Sequence, residues 1–536
     1  MRTMMTLDSL SSARLTFGVV AAVLALIAFL ISRKYSRRGL PPGPPGLPLI
    51  GNLYDIPGPD AYGHVFYADL AAKYGDVVAL RVFSKTLIIL GSATAAIDLL
   101  EKRSVYADRP GSPLVEMTGS TWSLVFKRYG AQWRDTRRVV WQHFHPKAVG
   151  AFHPIQRREA QELLRRLLKV PRDLEGTIKM SMVATVLAVA QGLPEGDITH
   201  QWVDLMMDAA MGFIESSRPF GYFVQVFPWL RYIPAWIPGM RWKQDALEWR
   251  RPTEIIHEKL FRMAQAAMKR GEARPSMLSQ LLDDLTSLSG PDAEREGNAI
   301  KDATASVVVA GVDTTSAALI TFFRAMLMYP EVRKRAQAEL DLVIGPGRLP
   351  THEDRDSLPY INAMIKEILR WHTVLPLGIA HRCMEEDQYR GWRIPKGAIV
   401  LTNVWSILRD PVAYPDPDVF RPERFLDDET STEVLDPGSI AFGFGRRSVC
   451  FPCVTPVCPG RHFAEDTLFI YIASILHAYD ILPAHDAHGQ PISVDAQATP
   501  GFLSYASIPV NISGVALNPS HEQVHQTIPV LGMPEI

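Results

Sequence analysis

The pattern of apolar and polar positions predicts a mainly helical protein with short strands near its beginning. Apolar runs of strand length occupy 77–83 and 86–91, each beside turn-forming residues. From about Trp133 to Trp371 the apolar positions recur with helical spacing. No linker rich in glycine, serine or charge divides the later chain, so one large α+β domain with small sheets is predicted over 53–536.

A continuous apolar run marks the N-terminus. Residues 15–31 carry no charge, and a helix of that length, rising ~1.5 Å per residue, crosses a thin bilayer core. A cleaved signal peptide is the alternative, but the run ends in Ser32-Arg33-Lys34 without a small-residue cleavage site. The basic surplus that follows it predicts a single-pass anchor in the endoplasmic reticulum membrane, with 1–14 in the lumen and the main body in the cytosol.

The anchor is followed by a basic flank and a segment rich in proline and glycine, together 32–52. Its sequence from 41 to 52 is PPGPPGLPLIGN. Because proline fixes φ and glycine permits sharp reversals, we interpret it as a stiff, extended hinge. A proline-rich motif that docks a partner is the competing interpretation.

A second apolar segment, 219–242, is dense in aromatic residues. Pro228, Pro234 and Pro238 interrupt it, so it cannot form one continuous transmembrane helix. Its aromatic side chains either rest on a bilayer surface or cap the core, and both alternatives stay open.

Composition narrows the function. The formal net charge of −1 argues against a nucleic-acid-binding protein, which needs a basic surplus. Of four cysteines, Cys450, Cys453 and Cys458 fall close together, which indicates metal or haem chemistry in a reducing compartment rather than a disulfide framework. The alternative is a set of small buried hydrophobic residues.

An apolar helix predicted over 299–327 contains AGVDTTS, and Pro330 follows it. Gly311 costs ~1 kcal/mol relative to alanine within a helix, and Asp313 and Thr314 are polar where apolar groups would pack better. A threonine hydroxyl that bonds to the carbonyl four residues earlier, near a glycine, opens the helix to a ligand. A local kink without chemistry is the alternative.

Charged residues later in the chain predict a structural cluster. KEILR places Glu367 and Arg370 on one face of a helix. Arg424, in the irregular stretch FRPERF, completes a buried group of three in this interpretation.

Near the C-terminus, FGFGRR is followed after ten residues by CPGRHFAEDTLF. Pro459 and Gly460 place the Cys458 sulfur on a tight turn before an apolar helix, whose N-terminal partial charge favours a thiolate. This arrangement suits axial coordination of iron.

Together these pieces resemble the cytochrome P450 family of haem-thiolate monooxygenases. The proline hinge, WRDTR, AGVDTT, KEILR, PERF, FGFGRR and CPGRHFA occur in the order that the family shows. The resemblance extends from the anchor to about Pro509. YRGWRIPKG and DPVAYPDPDVFRPERF are similar to fungal microsomal members that hydroxylate secondary metabolites, including the mushroom tryptamine hydroxylases.

The resemblance implies a role for each matching residue. Cys458 would be the axial ligand of haem b, and Thr314 and Asp313 would deliver protons during oxygen activation. The residues that would hold the haem propionates are Trp133, Arg137, His381 and Arg447. A structural triad would consist of Glu367, Arg370 and Arg424.

One departure from the family pattern concerns the haem loop. In the family a single residue separates the arginine from the ligand cysteine, whereas here ten residues separate Arg447 from Cys458. Cys450 is therefore a rival ligand, although Phe-Pro-Cys rather than Pro-Gly-Arg follows it. The additional residues are either an outward bulge or a translated splicing remnant, and the contact of Arg447 with haem is in doubt.

The resemblance also implies the reaction and the partners. The enzyme would insert one oxygen atom from O2 into a small, largely apolar metabolite. Its electrons would come from an NADPH-dependent flavoprotein reductase, since the chain has no nucleotide-binding glycine motif. Substrate choice would lie in 104–123 and 216–242.

Two other hypotheses remain. A membrane-tethered binding or scaffold protein would keep the fold but lose haem through the enlarged loop. Alternatively, Cys450, Cys453 and Cys458 would bind zinc, for which His462 is the available fourth ligand.

Overall fold

A computed structural model describes residues 39–58, 61–169, 173–193, 199–287, 289–426, 435–445, 458–483, 488 and 515–519. The predicted membrane anchor, 15–31, lies outside the described residues. Arg447, Cys450 and Cys453 also lie outside them.

The described chain is mostly helical with small sheets, which confirms the predicted class. The α-helices are α1 Gly63–Tyr74, α2 Ala93–Ala96, α3 Pro113–Met117, α4 Ala131–Phe144, α5 His153–Lys169, α6 Leu174–Gln191, α7 His200–Ser217, α8 Arg241–Glu254, α9 Leu260–Arg270, α10 Met277–Leu285, α11 Gly290–Met328, α12 Pro330–Val343, α13 Pro359–Trp371, α14 Val404–Ile407, α15 Gly438–Ala441 and α16 Arg461–Ala478.

Within the described ranges, eight strands form three small sheets. They are β1 Val77–Val82, β2 Lys85–Leu90, β3 His381–Arg382, β4 Asp387–Tyr389, β5 Trp392–Ile394, β6 Ile399–Thr402, β7 Tyr479–Pro483 and β8 Val515–Pro519. The largest sheet has the order β1-β2-β6-β3, in which only β2 and β6 run parallel. Strands β4 and β5 pair as a hairpin, and β7 pairs with β8. The β1-β2-β6-β3 sheet therefore joins the start of the domain to residues about 300 positions later.

Helix α11 is the central element of the core. It packs against α4, α6, α7 and α16, and its residues from Ala299 onward are largely buried. It begins nine residues before the predicted start, because the polar first turns carry no apolar periodicity yet continue the helix. Of the helices described, α11 alone is long and apolar enough to cross a membrane, and 72% of its most apolar window is buried, as is typical of a core helix.

The segment that we interpreted as a hinge lies against β1. The Ala79 amide donates to the Pro42 carbonyl at 2.8 Å, and the Arg81 amide donates to the buried Asn52 side chain at 3.0 Å. Gly51 has φ +66°, and a Cβ there would meet the Arg81 carbonyl oxygen. Residues 42–52 are therefore fastened to the sheet.

The aromatic segment, 219–242, is partly exposed. It contains 3-10 turns at Phe223–Gln225 and Pro228–Tyr232 rather than a long helix. Trp229, Tyr232 and Trp236 are 59%, 73% and 79% exposed, which favours the surface alternative over the core alternative.

Candidate functional site

Cys458 lies on the turn before α16, where the two halves of the enlarged loop meet. Its amide donates to the Phe442 carbonyl at 3.2 Å. Burial raises the pKa of the Cys458 thiol, whereas the Gly460 amide and the positive charge of Arg137 lower it. Phe442 and Cys458 are thus in direct contact, although ten residues separate Arg447 from Cys458 in the sequence.

A cavity of about 290 Å³ lies between this turn and the central helix. Its walls are mostly apolar, with contributions from α4, α6, α11 and the loop around Phe442. We call it the cysteine cavity, because Cys458 contributes to its wall. Such a space suits a largely apolar group that carries a few polar atoms.

Helix α11 forms one wall of the cysteine cavity through Ala310, Gly311 and Thr314. The Thr314 hydroxyl donates to the Ala310 carbonyl at 2.7 Å, and the helix continues through this point. A Cβ at Gly311 would lie 3.0 Å from Cγ2 of Val186 on α6. The glycine therefore permits close packing of α6 and α11 beside the cavity.

Asp313 is adjacent to this wall but is not among the residues that line the cavity. It is 6% exposed. Burial raises its pKa to about 7, Lys179 opposes the increase, and Glu175 adds to it. The carboxyl group can therefore take up or release a proton near neutral pH.

Three of the predicted propionate-binding residues line the cysteine cavity: Trp133 and Arg137 on α4, and His381 on β3. The His381 Nδ1 donates to the Tyr106 carbonyl at 2.9 Å, which fixes the ring. Burial lowers the pKa of Arg137 to about 10, and the opposing cause is Cys458. Donors of this kind match the acidic side groups of a porphyrin.

Arg109 is a cavity residue that the sequence interpretation did not identify. It is 5% exposed, and its Nη1 donates to the Ile379 and Ala380 carbonyls at 2.6 and 2.8 Å. The sequence feature that could have identified Arg109 is its position within 104–123, the region expected to select the substrate. The contacts that bury it involve residues 270 positions away, which no local pattern reveals.

Glu367, Arg370 and Arg424 form a buried ionic cluster away from the cavity. Glu367 accepts hydrogen bonds from Arg370 Nε and Nη2 at 2.7 and 2.8 Å, and from Arg424 Nε at 3.2 Å. Arg370 also donates to the Leu408 and Pro417 carbonyls. The cluster thus joins α13 to the irregular chain around Pro422–Phe425.

The structure brings Trp133, Arg137, Thr314, His381 and Cys458 to one cavity. Arg447 lies outside the described residues. No group of three or more potential metal-ligating side chains occurs within the described ranges, and two of the cysteines in the zinc hypothesis lie outside them.

Comparison with known proteins agrees with this geometry. A family model described as Cytochrome P450 matches residues 41–502. The cytochrome P450 monooxygenase COX2 of Coprinopsis cinerea is 37% identical over 91% of this chain and 92% of its own length.

Two other relatives share a similar extent. The cytochrome P450 monooxygenase 208 of Postia placenta is 40% identical over 87% of this chain and 88% of its own length. The tryptamine 4-monooxygenase of Psilocybe cyanescens is 37% identical over 91% of this chain and 95% of its own.

Proposed function

Because the chain belongs to the cytochrome P450 family, and is thus an oxygen-incorporating oxidoreductase, we propose that it hydroxylates a small, largely apolar metabolite of fungal secondary metabolism. We further propose that an NADPH-dependent flavoprotein reductase supplies the electrons. In this proposal residues 15–31 anchor the enzyme in the endoplasmic reticulum membrane, with the catalytic domain in the cytosol.

The cofactor of the family is haem, held through a cysteine thiolate, and the cysteine cavity fits it. Its apolar walls suit the macrocycle, and the donors Trp133, Arg137, His381 and Arg109 would hold the propionates. We assign to Cys458 the thiolate that would hold the haem iron. The bound cofactor would supply the activation of O2 and the oxidation.

Thr314 and Asp313 act in proton transfer in this proposal. The Thr314 Oγ1 is a hydroxyl at the cavity wall, and its bond to the Ala310 carbonyl fixes its position. The Asp313 carboxyl holds a proton up to about neutral pH. In this proposal Thr314 donates a proton into the cavity, and Asp313 resupplies protons near the pH of the cytosol.

The contact between the Phe442 carbonyl and the Cys458 amide carries the assignment of the ligand. It places FGFG of one half of the loop beside CPG of the other, with Phe442, Gly443 and Phe444 lining the same cavity as Cys458. This supports Cys458 over Cys450 as the thiolate, since the glycine turn and the helix α16 follow Cys458 directly.

Carbon monoxide difference spectra of the purified enzyme test the assignment. We expect Cys458→Ser to remove the absorption typical of a thiolate-ligated haem. Cys450→Ser, the matched control, is expected to retain it, as is a deletion of residues 448–456. Loss of the absorption in Cys450→Ser with its retention in Cys458→Ser would reverse the assignment.

The same preparation separates catalysis from a scaffold function. We expect NADPH consumption with a purified flavoprotein reductase to accompany formation of an oxidised product in a panel of small apolar metabolites. A protein that is folded by circular dichroism yet lacks a Soret band would instead support the scaffold hypothesis.

A further inference from the structure

A second cavity, of about 460 Å³, lies beside the cysteine cavity. Its walls come from the β1–β2 turn, the loop before α3, the end of α7, and the turn before β6. The lining extends from Lys396, which is exposed, to Arg218, which is 9% exposed. The cavity therefore reaches from the surface into the interior.

The charged side chains that line this cavity are all cationic, and we call it the basic chamber. The chamber is lined by six cationic side chains and by no aspartate or glutamate: Lys85, Arg109, Arg128, Arg218, Arg382 and Lys396. Two carboxylates pair with three of these cations from behind the wall. Asp108 is shared by Arg128 and Arg382 at 2.8 and 3.2 Å, and Glu215 lies 3.5 Å from Arg218. A positive surplus therefore faces the chamber.

Two cations at the outer part of the chamber have no carboxylate partner among the described residues, namely Lys85 and Lys396. Lys85 lies near another cation, Arg382, and this repulsion together with burial lowers its pKa. Uncompensated positive charges at short range raise the free energy of the chamber unless an anion is present.

Arg218 provides a cation deeper in the wall of the chamber, where it is 9% exposed. Its carboxylate contact is long, because Glu215 also accepts a hydrogen bond from the Tyr222 hydroxyl at 2.9 Å. The charge of the Arg218 guanidinium is therefore weakly compensated, and it adds to the positive surplus of the chamber.

The basic chamber adjoins the cysteine cavity, since Arg109 and Ile379 line both. We propose that the basic chamber binds the anionic group of an amphipathic substrate, whose apolar body extends into the cysteine cavity. The proposal rests on the proposed function and narrows its substrate class to molecules that carry a carboxylate or a similar acid. It sets this chain apart from a relative named for tryptamine, an amine that is cationic at neutral pH.

An anionic lipid headgroup has the same chemistry as a free acid. The chamber is close to the aromatic segment, because Phe83 in the β1–β2 turn packs edge-to-face against Phe227 with ring centroids 4.9 Å apart. Two features favour a small acid instead. The chamber extends inward to Arg218, and it shares Arg109 and Ile379 with the cysteine cavity.

Isothermal titration of the full-length haem-containing enzyme with decanoate, 1-decanol and decyltrimethylammonium tests the proposal. These probes share an alkyl chain and differ in charge. At low ionic strength we expect decanoate to bind at least about tenfold more tightly than decanol, and the cation to bind most weakly. The preference for decanoate should decrease as salt is added.

The double variant Lys85→Gln/Lys396→Gln is expected to weaken decanoate binding about tenfold and to leave decanol binding within about twofold. Arg393→Gln is the matched control, because Arg393 is exposed, pairs with Glu386 and does not line the chamber. It should change neither affinity.

Equal affinities of the unmodified enzyme for decanoate and decanol would overturn the proposal. So would a double variant that binds decanoate normally but loses binding to phosphatidylserine vesicles, since the lysines would then serve the membrane. The carbon monoxide spectrum of each sample reports the haem site separately, so failure of the chamber proposal is distinct from failure of the proposed function.

Discussion

Asp313 carries a carboxyl group that burial keeps protonated to about pH 7, against an ordinary pKa of 3.8. Between these values the folded protein binds a proton that the unfolded chain has released. The free energy of unfolding therefore decreases as pH rises from about 4 to about 7, and the full cost of the buried charge persists above that range.

The variant Asp313→Asn removes that cost. We expect its free energy of unfolding to exceed that of the wild type by on the order of 2–4 kcal/mol above pH 7, with a difference that shrinks toward pH 5. Thermal melts followed by circular dichroism between pH 5 and 8.5 measure this. Asp292→Asn, at an exposed position of the same helix, should show no such widening, and a difference independent of pH would contradict the argument.

Short local patterns singled out Cys458, through the CPG turn, and Thr314, through AGVDTTS. Both residues line the cysteine cavity, and their chemical roles stay predictions. Arg109 was missed since its burial depends on carbonyl groups of Ile379 and Ala380. The contact of Arg447 with a haem propionate stays a prediction, because Arg447 lies outside the described residues.

At the scale of elements, the ionic cluster around Glu367 holds α13 against the irregular chain that contains Pro422–Phe425. Glu367 and Arg370 have fully buried side chains, and the Glu367 carboxylate also accepts the Arg421 amide at 2.8 Å. Removing the negative charge would leave buried guanidinium groups without compensation.

We therefore expect Glu367→Gln to lower the free energy of unfolding by about 3–5 kcal/mol. Glu254→Gln, in an exposed pair with Arg250, should cost no more than about 0.5 kcal/mol. Urea unfolding monitored by circular dichroism compares the two variants. Similar losses in both would show that the buried cluster contributes no more than a surface ion pair.

The contact between α6 and α11 gives a packing reason for Gly311. Helix propensity alone favours alanine by ~1 kcal/mol, but a Cβ would press on Val186 Cγ2. Gly311→Ala should therefore lower the free energy of unfolding by about 1 kcal/mol, since overpacking outweighs propensity.

The same change in a Val186→Ala background tests this reason. With Cγ2 removed, Gly311→Ala is expected to raise the free energy of unfolding rather than lower it. A thermodynamic cycle from urea unfolding of the four proteins measures the coupling. An equal effect of Gly311→Ala in both backgrounds would show that the contact is not the cause.

Element boundaries were predictable only where a local signal exists. Pro330 marks the end of α11, which stops at Met328 because the next helix begins at the proline. The start at Gly290 was not predictable from apolar periodicity, since 290–298 are mostly polar. The docking of 42–52 on β1 depends on pairing across the fold rather than on its prolines.

At the scale of the whole molecule, the exposed side chains of Trp229, Tyr232 and Trp236 define the side that we propose faces the membrane. Aromatic residues of this kind favour the interface between lipid and water.

Tryptophan fluorescence in vesicles tests this orientation, because residues 1–38 contain no tryptophan. We expect brominated phosphatidylcholine to quench the wild-type enzyme more strongly than Trp229→Phe/Trp236→Phe. Trp371→Phe, at a buried position, should retain the quenching. Identical quenching in the double variant would place the membrane elsewhere.

The general architecture followed from the sequence because helical periodicity dominates the chain. The assembly of the site did not follow from periodicity, since the β1-β2-β6-β3 order brings His381 to Tyr106 across the fold. The basic chamber was likewise not predictable, because its six cations come from six separate stretches of a nearly neutral chain.

Because the two cavities are adjacent but have different walls, two properties of the enzyme would depend on different residues: its affinity for the substrate and its choice of the carbon that is oxidised. Affinity for a metabolite would be decided where its acid is held, whereas the carbon that is attacked would be decided by the walls near Thr314 and Phe442. Substitutions in the basic chamber should then change the affinity for the substrate without changing which carbon is oxidised. Substitutions near Thr314 and Phe442 should change the oxidised carbon at a nearly constant affinity.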